Sequence, residues 1–457
     1  MARDTTDQTP LSSVAELSSY MAEGPRPKEK FRIGTEHEKF VFFKADHSPV
    51  PYAGEASISA LLNGMQERLG WEPITDGGNI IGLGEQSGMG AISIEPGGQF
   101  ELSGAPLETL HEVAAEAEQH IALVKEIAEP MGIGFLGIGG SPKWTREETP
   151  RMPKSRYDIM TRFMPKVGSK GLDMMYRTCT IQVNLDFSSE EDMAAKMRVS
   201  MKLQSIATAL FAASPFTEGK PNGLSSWRGD IWRDTDNSRA GVLPFVFNSD
   251  FGYADYADWA LDVPMYFIVR NGKYHDCTNI TFRQFMDGGL KGSVDDWQPT
   301  MGDWINHLST LFPDVRLKRF LEMRGADGGP LDRISALPAF WVGLLYDETA
   351  LADAQELTKD WTFEDVVQMR DTVPSKGLSA EIRGVSVLDI ARESVLISKA
   401  GLKARARKNA EGDDETIFLR PLEEILVKKA TLADEMLALF NGRWEGSVEP
   451  AFKDYAY

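Results

Sequence analysis

Polar and apolar residues alternate along four short stretches of the chain, and each alternation sets groups of chemical interest on one face. Arg32–Phe43 predicts a strand in which Glu36 and Glu38 point to one side and His37 to the other. Ser93–Gly104, SIEPGGQFELSG, is built around a tight Pro96-Gly97-Gly98 turn. Extended backbone on both sides of that turn would send Glu95, Gln99 and Glu101 towards a common face. Arg177–Phe187 reads as a half-buried strand, with Gln182 and Asn184 on one face and Ile181, Val183 and Leu185 on the other. In Arg319–Asp327, Glu322 and Arg324 are two apart and so face together.

Helical spacing governs other segments. Residues 57–69 predict a helix, and so do residues 107–129, where Leu107, Leu110, Val113, Ala114, Ala117, Ile121, Val124 and Ile127 recur and Pro130 and Gly132 stop the pattern. Ser13 with Glu16 fits a capping box ahead of a short helix, and Ser188 with Glu191 fits another, opening a Met- and Ala-rich helix to about Ala213. Residues 71–102 are glycine-rich with short β runs, the signature of hairpins. Gly82–Gly90 reads as a hairpin loop, because neither a GxxxxGK[ST] run nor a strand–GxGxxG–helix unit is present. Ile133–Ile138 predicts a strand. Residues 141–170 are a connection rich in Pro, Lys and Arg, either a solvated loop or a segment over an anionic ligand. Residues 216–241 are loop-like and carry Lys220, Arg228, Arg233 and Arg239, and Leu261–Val269 is β-rich. Beyond Leu331 the chain is mostly helical, with a charged, exposed segment at 401–416. Residues 1–10 are expected to be disordered. No repeat and no Pro/Ser linker separates the polar clusters, so residues 11–457 are expected to form one catalytic domain with a mostly helical part from about 331.

Composition narrows the function. Of 457 residues 42% are hydrophobic and 26% charged, and the formal net charge is −19. That charge argues against nucleic acid or an anionic membrane surface as the main partner, since both are bound through clustered Lys and Arg. The two cysteines, Cys179 and Cys277, make neither a disulfide framework nor a CxxC motif. The N-terminus, MARDTTDQTPLSS, lacks the basic flank and apolar core of a signal peptide, and no apolar run approaches the roughly 20 residues that span a bilayer. A cytoplasmic location is expected.

A single ExE on a strand is usually a solvated face. The joint pattern is stronger: carboxylates, amides and an arginine on the faces of several strands make a polar cavity. Carboxylates converging from separate strands repel unless cations sit between them, and Mg²⁺ or Mn²⁺ suits an all-oxygen donor set. No HExxH, His/Cys cluster or GxSxG is present, which argues against a zinc hydrolase or a serine nucleophile. His37 reads as a packed or hydrogen-bonded core histidine.

IGTEHEKF, SIEPGGQFELSG, RYDIM, RTCTIQVNLDF, SPFTEGKPNG, DVPMYF, RFLEMRGADGG and the ending NGRWEGSVEPAF together resemble glutamate–cysteine ligases of the plant and α-proteobacterial type, over essentially residues 30–457. The resemblance implies an α+β fold with a glutamine-synthetase-like, cup-shaped, antiparallel-rich sheet flanked by helices. It implies ATP-dependent ligation of L-glutamate, through γ-glutamyl phosphate, to L-cysteine, the first step of glutathione biosynthesis. It also implies two or three Mg²⁺ ions (Mn²⁺ possible) on Glu36, Glu38, Glu95, Glu101, Gln182 and Glu322. Arg324, Glu95 and Glu322 are the expected catalytic groups, and Arg156 and Arg228 match positions that hold substrate carboxylate. The partners are these small molecules, with no nucleic acid or membrane, and the protein is expected to be a monomer or homodimer. A ligase using another amine, a phosphotransferase stopping at the acyl phosphate, or a non-catalytic ATP/Mg²⁺-binding protein are the alternatives. Plant relatives carry a second cysteine fifteen residues beyond Cys277, giving a regulatory disulfide; position 292 here is Gly. Removing Glu322 is expected to relieve carboxylate repulsion and so to stabilise the metal-free protein.

Overall fold

One long strand, β1 (Ile33–Phe43), organises the computed structural model, which describes residues 4–457. The sheet around it also contains β2 (Glu72–Asp76), β3 (Asn79–Gly84), β4 (Ala91–Ile94), β5 (Phe100–Ser103), β6 (Ile133–Leu136), β7 (Thr180–Leu185), β8 (Val315–Leu317) and β9 (Leu321–Asp327). Its order is β8-β9-β7-β1-β5-β4-β3-β2, and β6 pairs with the distal half of β1. Every pairing in it is antiparallel. The α+β architecture with an antiparallel-rich sheet that the resemblance implies is found.

The apolar face of the sheet explains why these strands form. Ile33, Ile181, Val183 and Leu185 are buried with Val113, Leu337 and Phe340 from the covering helices Leu110–Ala128 and Leu331–Leu345. Each such side chain contributes about 1.5–3 kcal/mol on burial. His37 belongs to this face: it is 1% exposed, its Nδ1 lies 3.0 Å from Lys39 Nζ, and its ring meets His120 edge-on. With its apolar residues committed to the helices, the sheet turns its polar residues to the other side.

Several local expectations shift. The 107–129 helix begins at Leu110, capped by Thr109 and Glu112; Leu107 instead exchanges two backbone hydrogen bonds with Ile33, at 2.8 and 2.9 Å. The cap of helix Glu190–Leu210 is Ser189, whose hydroxyl accepts from Asp192 N, rather than Ser188. Leu261–Val269 is divided between helix Tyr253–Asp262 and strand Phe267–Arg270. Within 401–416, Gly401, Leu402 and Glu415 are buried, and Glu415 accepts from the backbone of Leu110. The 141–170 connection contains helix Ser155–Val167, which buries Tyr157, Met160 and Met164 at helical spacing. Pro153 and Pro165 mask that period: the first precedes the helix, and the second falls in its final turn.

Residues 4–10, expected to be disordered, lie as a strap along the start of helix Met301–Ser309, whose first amide groups have no partner within the helix. Met301 N donates to Thr9 O (2.8 Å) and Gly302 N to Asp7 O (2.9 Å). The rest of the segment expected to be disordered, residues 1–3, lies outside the described residues. Among the described residues no helix is long and apolar enough to cross a membrane.

Candidate active site

Strand register builds the site. Glu38 stands opposite Glu101 across β1 and β5, and Glu36 stands opposite Gln182 across β1 and β7. Like charges directly opposed on a sheet are destabilising, so the Glu38–Glu101 pair has no structural advantage. These four side chains and Glu95, which follows the last residue of β4, line one cavity of about 140 Å³. Each carboxylate is held by neutral donors. Thr180 N donates to Glu38 (3.0 Å) and Asn184 Nδ2 to Glu36 (3.0 Å). Ser93 and Ser103 hydroxyls donate to Glu101 at 2.6 and 3.1 Å, and the Tyr157 hydroxyl to Glu95 at 3.2 Å. Burial raises the Glu36 carboxyl above its ordinary range, helped by Glu322 and Glu101. Burial, then Glu95 and Glu101, pushes Glu38 well above it. Gln99 does not share this role: its amide donates to Thr178 O and Met175 O and closes the Pro-Gly-Gly turn through Gly97 N.

Three of the cavity's arginines are those singled out from the sequence. Arg324 donates to Gln182 Oε1 at 2.5 Å, and its guanidinium lies 5.9 Å from the Trp232 ring and 5.6 Å from that of Phe312. Arg228, in the short helix Trp227–Ile231, is 3% exposed and donates to Arg324 O at 3.0 Å. Arg156 opens helix Ser155–Val167 and approaches Asp4 at 3.4 Å. Pairing in β9 slips between Met323 and Ala326. This bulge re-aims the strand at Arg324, as such irregularities do beside functional sites.

Glu322 is placed differently. It is fully buried and does not line the cavity. Its carboxylate takes a two-pronged pairing from Arg316 (Nη2 to Oε1 2.7 Å, Nε to Oε2 3.1 Å), lies 3.4 Å from Lys318 Nζ and also accepts from Arg324. Burial alone would raise its pKa; Arg316, Lys318 and Arg324 outweigh that and hold the carboxyl well below the ordinary range.

A second cavity, of about 380 Å³, meets the first at Glu36. Of the Gly82–Gly90 run, expected to be a hairpin loop, Gly82–Gly84 end β3 and pair with β4, and only residues 85–90 form the loop between them; Gly84, Glu85, Gly88, Met89 and Gly90 wall this second cavity with Arg26 and Arg32. Asn184 lines it too, and its buried Oδ1 has no hydrogen-bond partner among the described residues.

The glutamate–cysteine ligase family 2 model matches residues 32–454. The chain belongs to that family. Its relatives include chloroplastic glutamate–cysteine ligase of Nicotiana tabacum (54% identical over 442 residues, covering 97% of this chain and 82% of the relative) and that of Arabidopsis thaliana, with the same identity and coverage. The chloroplastic ligase B of Oryza sativa subsp. japonica is 53% identical over 97% of this chain and 87% of its own length. The crystal structure of Francisella tularensis glutamate–cysteine ligase in complex with AMP superposes with a TM-score of 0.55 at 14% identity, covering 93% of this chain and 89% of that one, which shows a shared fold.

The cytoplasmic location expected above is overturned by these relatives, each of which is named chloroplastic. Sequence reasoning also missed several groups that this member of the family brings to the site: Asp4, Tyr157, Trp232, Phe312 and Arg316 line the first cavity. Arg316 had a usable signal, since a hairpin ending at Glu322 sets its partner strand opposite, and Arg316 is that partner. Asp4 and Trp232 had none.

Proposed function

We propose that this chain is a glutamate–cysteine ligase that couples ATP cleavage to formation of γ-glutamylcysteine, the first step of glutathione biosynthesis. The observation that carries the reading is one cavity lined by Glu36, Glu38, Glu95, Glu101, Gln182 and four arginines, in which strand register sets Glu38 against Glu101 and Glu36 against Gln182; it is joined at Glu36 to a second cavity of nucleotide-compatible size. The γ-carboxylate of glutamate attacks the terminal phosphorus of ATP and ADP leaves. The amine of cysteine then attacks the acyl carbon, loses a proton, and phosphate departs. Neither step needs a protein nucleophile.

The donor set fits Mg²⁺. Its groups are hard oxygens, two of its carboxyls have raised pKa values in the metal-free site, and Asn184 Oδ1, beside Glu36, is an oxygen unsatisfied among the described residues. Among the described residues no three carboxylate, thiol or imidazole groups enclose a metal by themselves. Mg²⁺ does not ask for that, since it is commonly held by one or two carboxylates together with phosphate oxygens and water. Two or three ions on Glu36, Glu38, Glu95, Glu101 and Gln182 would neutralise the triphosphate. Arg324 donates to the oxygens of the phosphoryl group in flight, where fixed donors act most strongly. Arg228 and Arg156 hold substrate carboxylates through their planar fork. Glu322, enclosed by cations, positions Arg324 and Arg316 instead of offering oxygen to a metal.

The test is ADP release with Mg²⁺, ATP and glutamate, each amino acid being supplied in turn as acceptor. Stimulation by cysteine with a product of γ-glutamylcysteine mass is expected. Glutamate-independent ADP release, or none with any acceptor, overturns the reading.

A further inference from the structure

Asp4 lines the first cavity, and the reading above leaves it without a task. It lies N-terminal to the residues that the family model matches, 32–454. The strap that carries it is firmly tied. Besides the bonds from Met301 and Gly302, Thr5 N donates to Asn306 Oδ1 (2.9 Å), Asn306 Nδ2 donates to Thr5 O (3.1 Å), and Leu11 N donates to Pro299 O (2.9 Å). Leu11 is buried, and the strap passes so close to Gly302 that a Cβ there would stand 2.6 Å from Asp7 O. At its end the Asp4 carboxylate, 20% exposed, is fixed from two sides. Oδ1 lies 3.4 Å from Arg156 Nη1, and Oδ2 accepts from the Tyr274 hydroxyl.

An α-amino acid presents a carboxylate and an ammonium on one carbon, and a guanidinium alone answers only half of that pair. We propose that Asp4 is a specificity-determining residue: it receives the α-ammonium of L-glutamate while Arg156 receives the α-carboxylate, with Tyr274 holding Asp4 in register. This rests on the reading of Arg156 given above. Glutamate is the better match than cysteine on chemical grounds. The cysteine amine is the nucleophile and must lose its proton, whereas the glutamate ammonium stays charged throughout and keeps its need for an anion. Asp4 Oδ1 lies 3.4 Å from Arg156 Nη1, so the two charges stand side by side as the substrate's head group requires.

The experiment uses the full chain and its Asp4→Asn variant, with KM measured separately for glutamate and cysteine at saturating ATP, and with glutarate, which lacks the ammonium, as a competing ligand. A hydrogen bond between charged groups is among the stronger contacts a site can make to a substrate. The expected result is therefore a rise in KM for glutamate of about tenfold or more, with kcat and the KM for cysteine within about twofold. The preference for glutamate over glutarate should shrink by the same factor, and Tyr274→Phe should shift KM the same way by less. An unchanged KM overturns the proposal. So does a lower one, which would make Asp4 a tethered competitor for Arg156, and so does a rise confined to cysteine. If Arg156→Gln raises the glutamate KM while Asp4→Asn does nothing, the clamp fails and the carboxylate role of Arg156 stands. Absence of glutamate-dependent turnover in the unaltered chain would instead overturn the ligase reading, and the clamp with it.

Discussion

Replacing Glu322 by glutamine keeps the size of the side chain and removes the one negative charge that Arg316, Lys318 and Arg324 share. Viewed along the chain, this residue belongs to a crowd of carboxylates, and its loss should relieve repulsion. The structure reverses that sign. Glu322 is fully buried with Arg316 at 2.7 Å and Lys318 at 3.4 Å, both themselves nearly inaccessible. Removing one partner of a buried pair leaves uncompensated charge and typically costs about 3–5 kcal/mol. Part of this is returned because Glu36, whose carboxyl is raised partly by Glu322, ionises more readily in the variant and draws on Lys318. The lower end, about 3 kcal/mol, is therefore expected. Unfolding entropy near 2.1 cal/mol/K per residue makes a chain of this length lose about 1 °C per kcal/mol, so the metal-free variant should melt about 3 °C below the unaltered protein. The assay is calorimetric melting in excess chelator, with equal protein concentrations and no nucleotide. A Glu322→Gln protein that melts at or above the unaltered one would refute the reasoning and return Glu322 to the repelling set.

Glu38→Gln should show the opposite sign. The Glu38 carboxyl is pushed up by burial, Glu95 and Glu101, so the metal-free fold favours its protonated form, and stability is lost as pH rises past the ordinary carboxylate value towards the folded one. The variant should therefore melt higher than the unaltered protein in chelator at neutral pH, and gain less from Mg²⁺ with ATP; melting curves with and without the ion check both. Glu116 is raised to about 7, chiefly by burial, so its contribution is present below the ordinary carboxylate range and lost as pH climbs through 7. Glu116→Gln should flatten that slope, read as a melting difference in favour of the variant that grows between pH 5 and pH 8. Arg324→Lys keeps the charge but not the planar fork that reaches Gln182, and should lower kcat by about 10²-fold with a smaller change in KM, measured by steady-state ADP release. Cys179 and Cys277 are both buried free thiols in separate core clusters, so mild reductant should leave turnover unchanged; a severalfold rise with dithiothreitol would contradict this.

What was legible along the chain follows from bond geometry. A strand alternates its side chains, so the pairing of Glu36 with Glu38, of Gln182 with Asn184, and of Glu322 with Arg324 on common faces could be read from spacing alone, as could the helix that stops just before Pro130. The long helical stretches were legible for the same reason. The helix at Ser155–Val167 was not, because two prolines and a dense run of charges hide a period that emerges only once Tyr157, Met160 and Met164 have a surface to pack on.

The sequence by itself determined which residues share a face, that those faces bear carboxylates, amides and arginines, and, through its motifs, the family. Only the tertiary structure decided which faces meet. Register across β1 sets Glu38 against Glu101 and Glu36 against Gln182, and a one-residue slip would have separated them. It also decided that Glu322 is enclosed by Arg316 and Lys318, and that Asp4 arrives beside Arg156 from the far end of the chain. Periodicity is a property of neighbouring bonds. Register, enclosure and charge compensation depend on contacts between residues far apart in sequence, which no local pattern encodes.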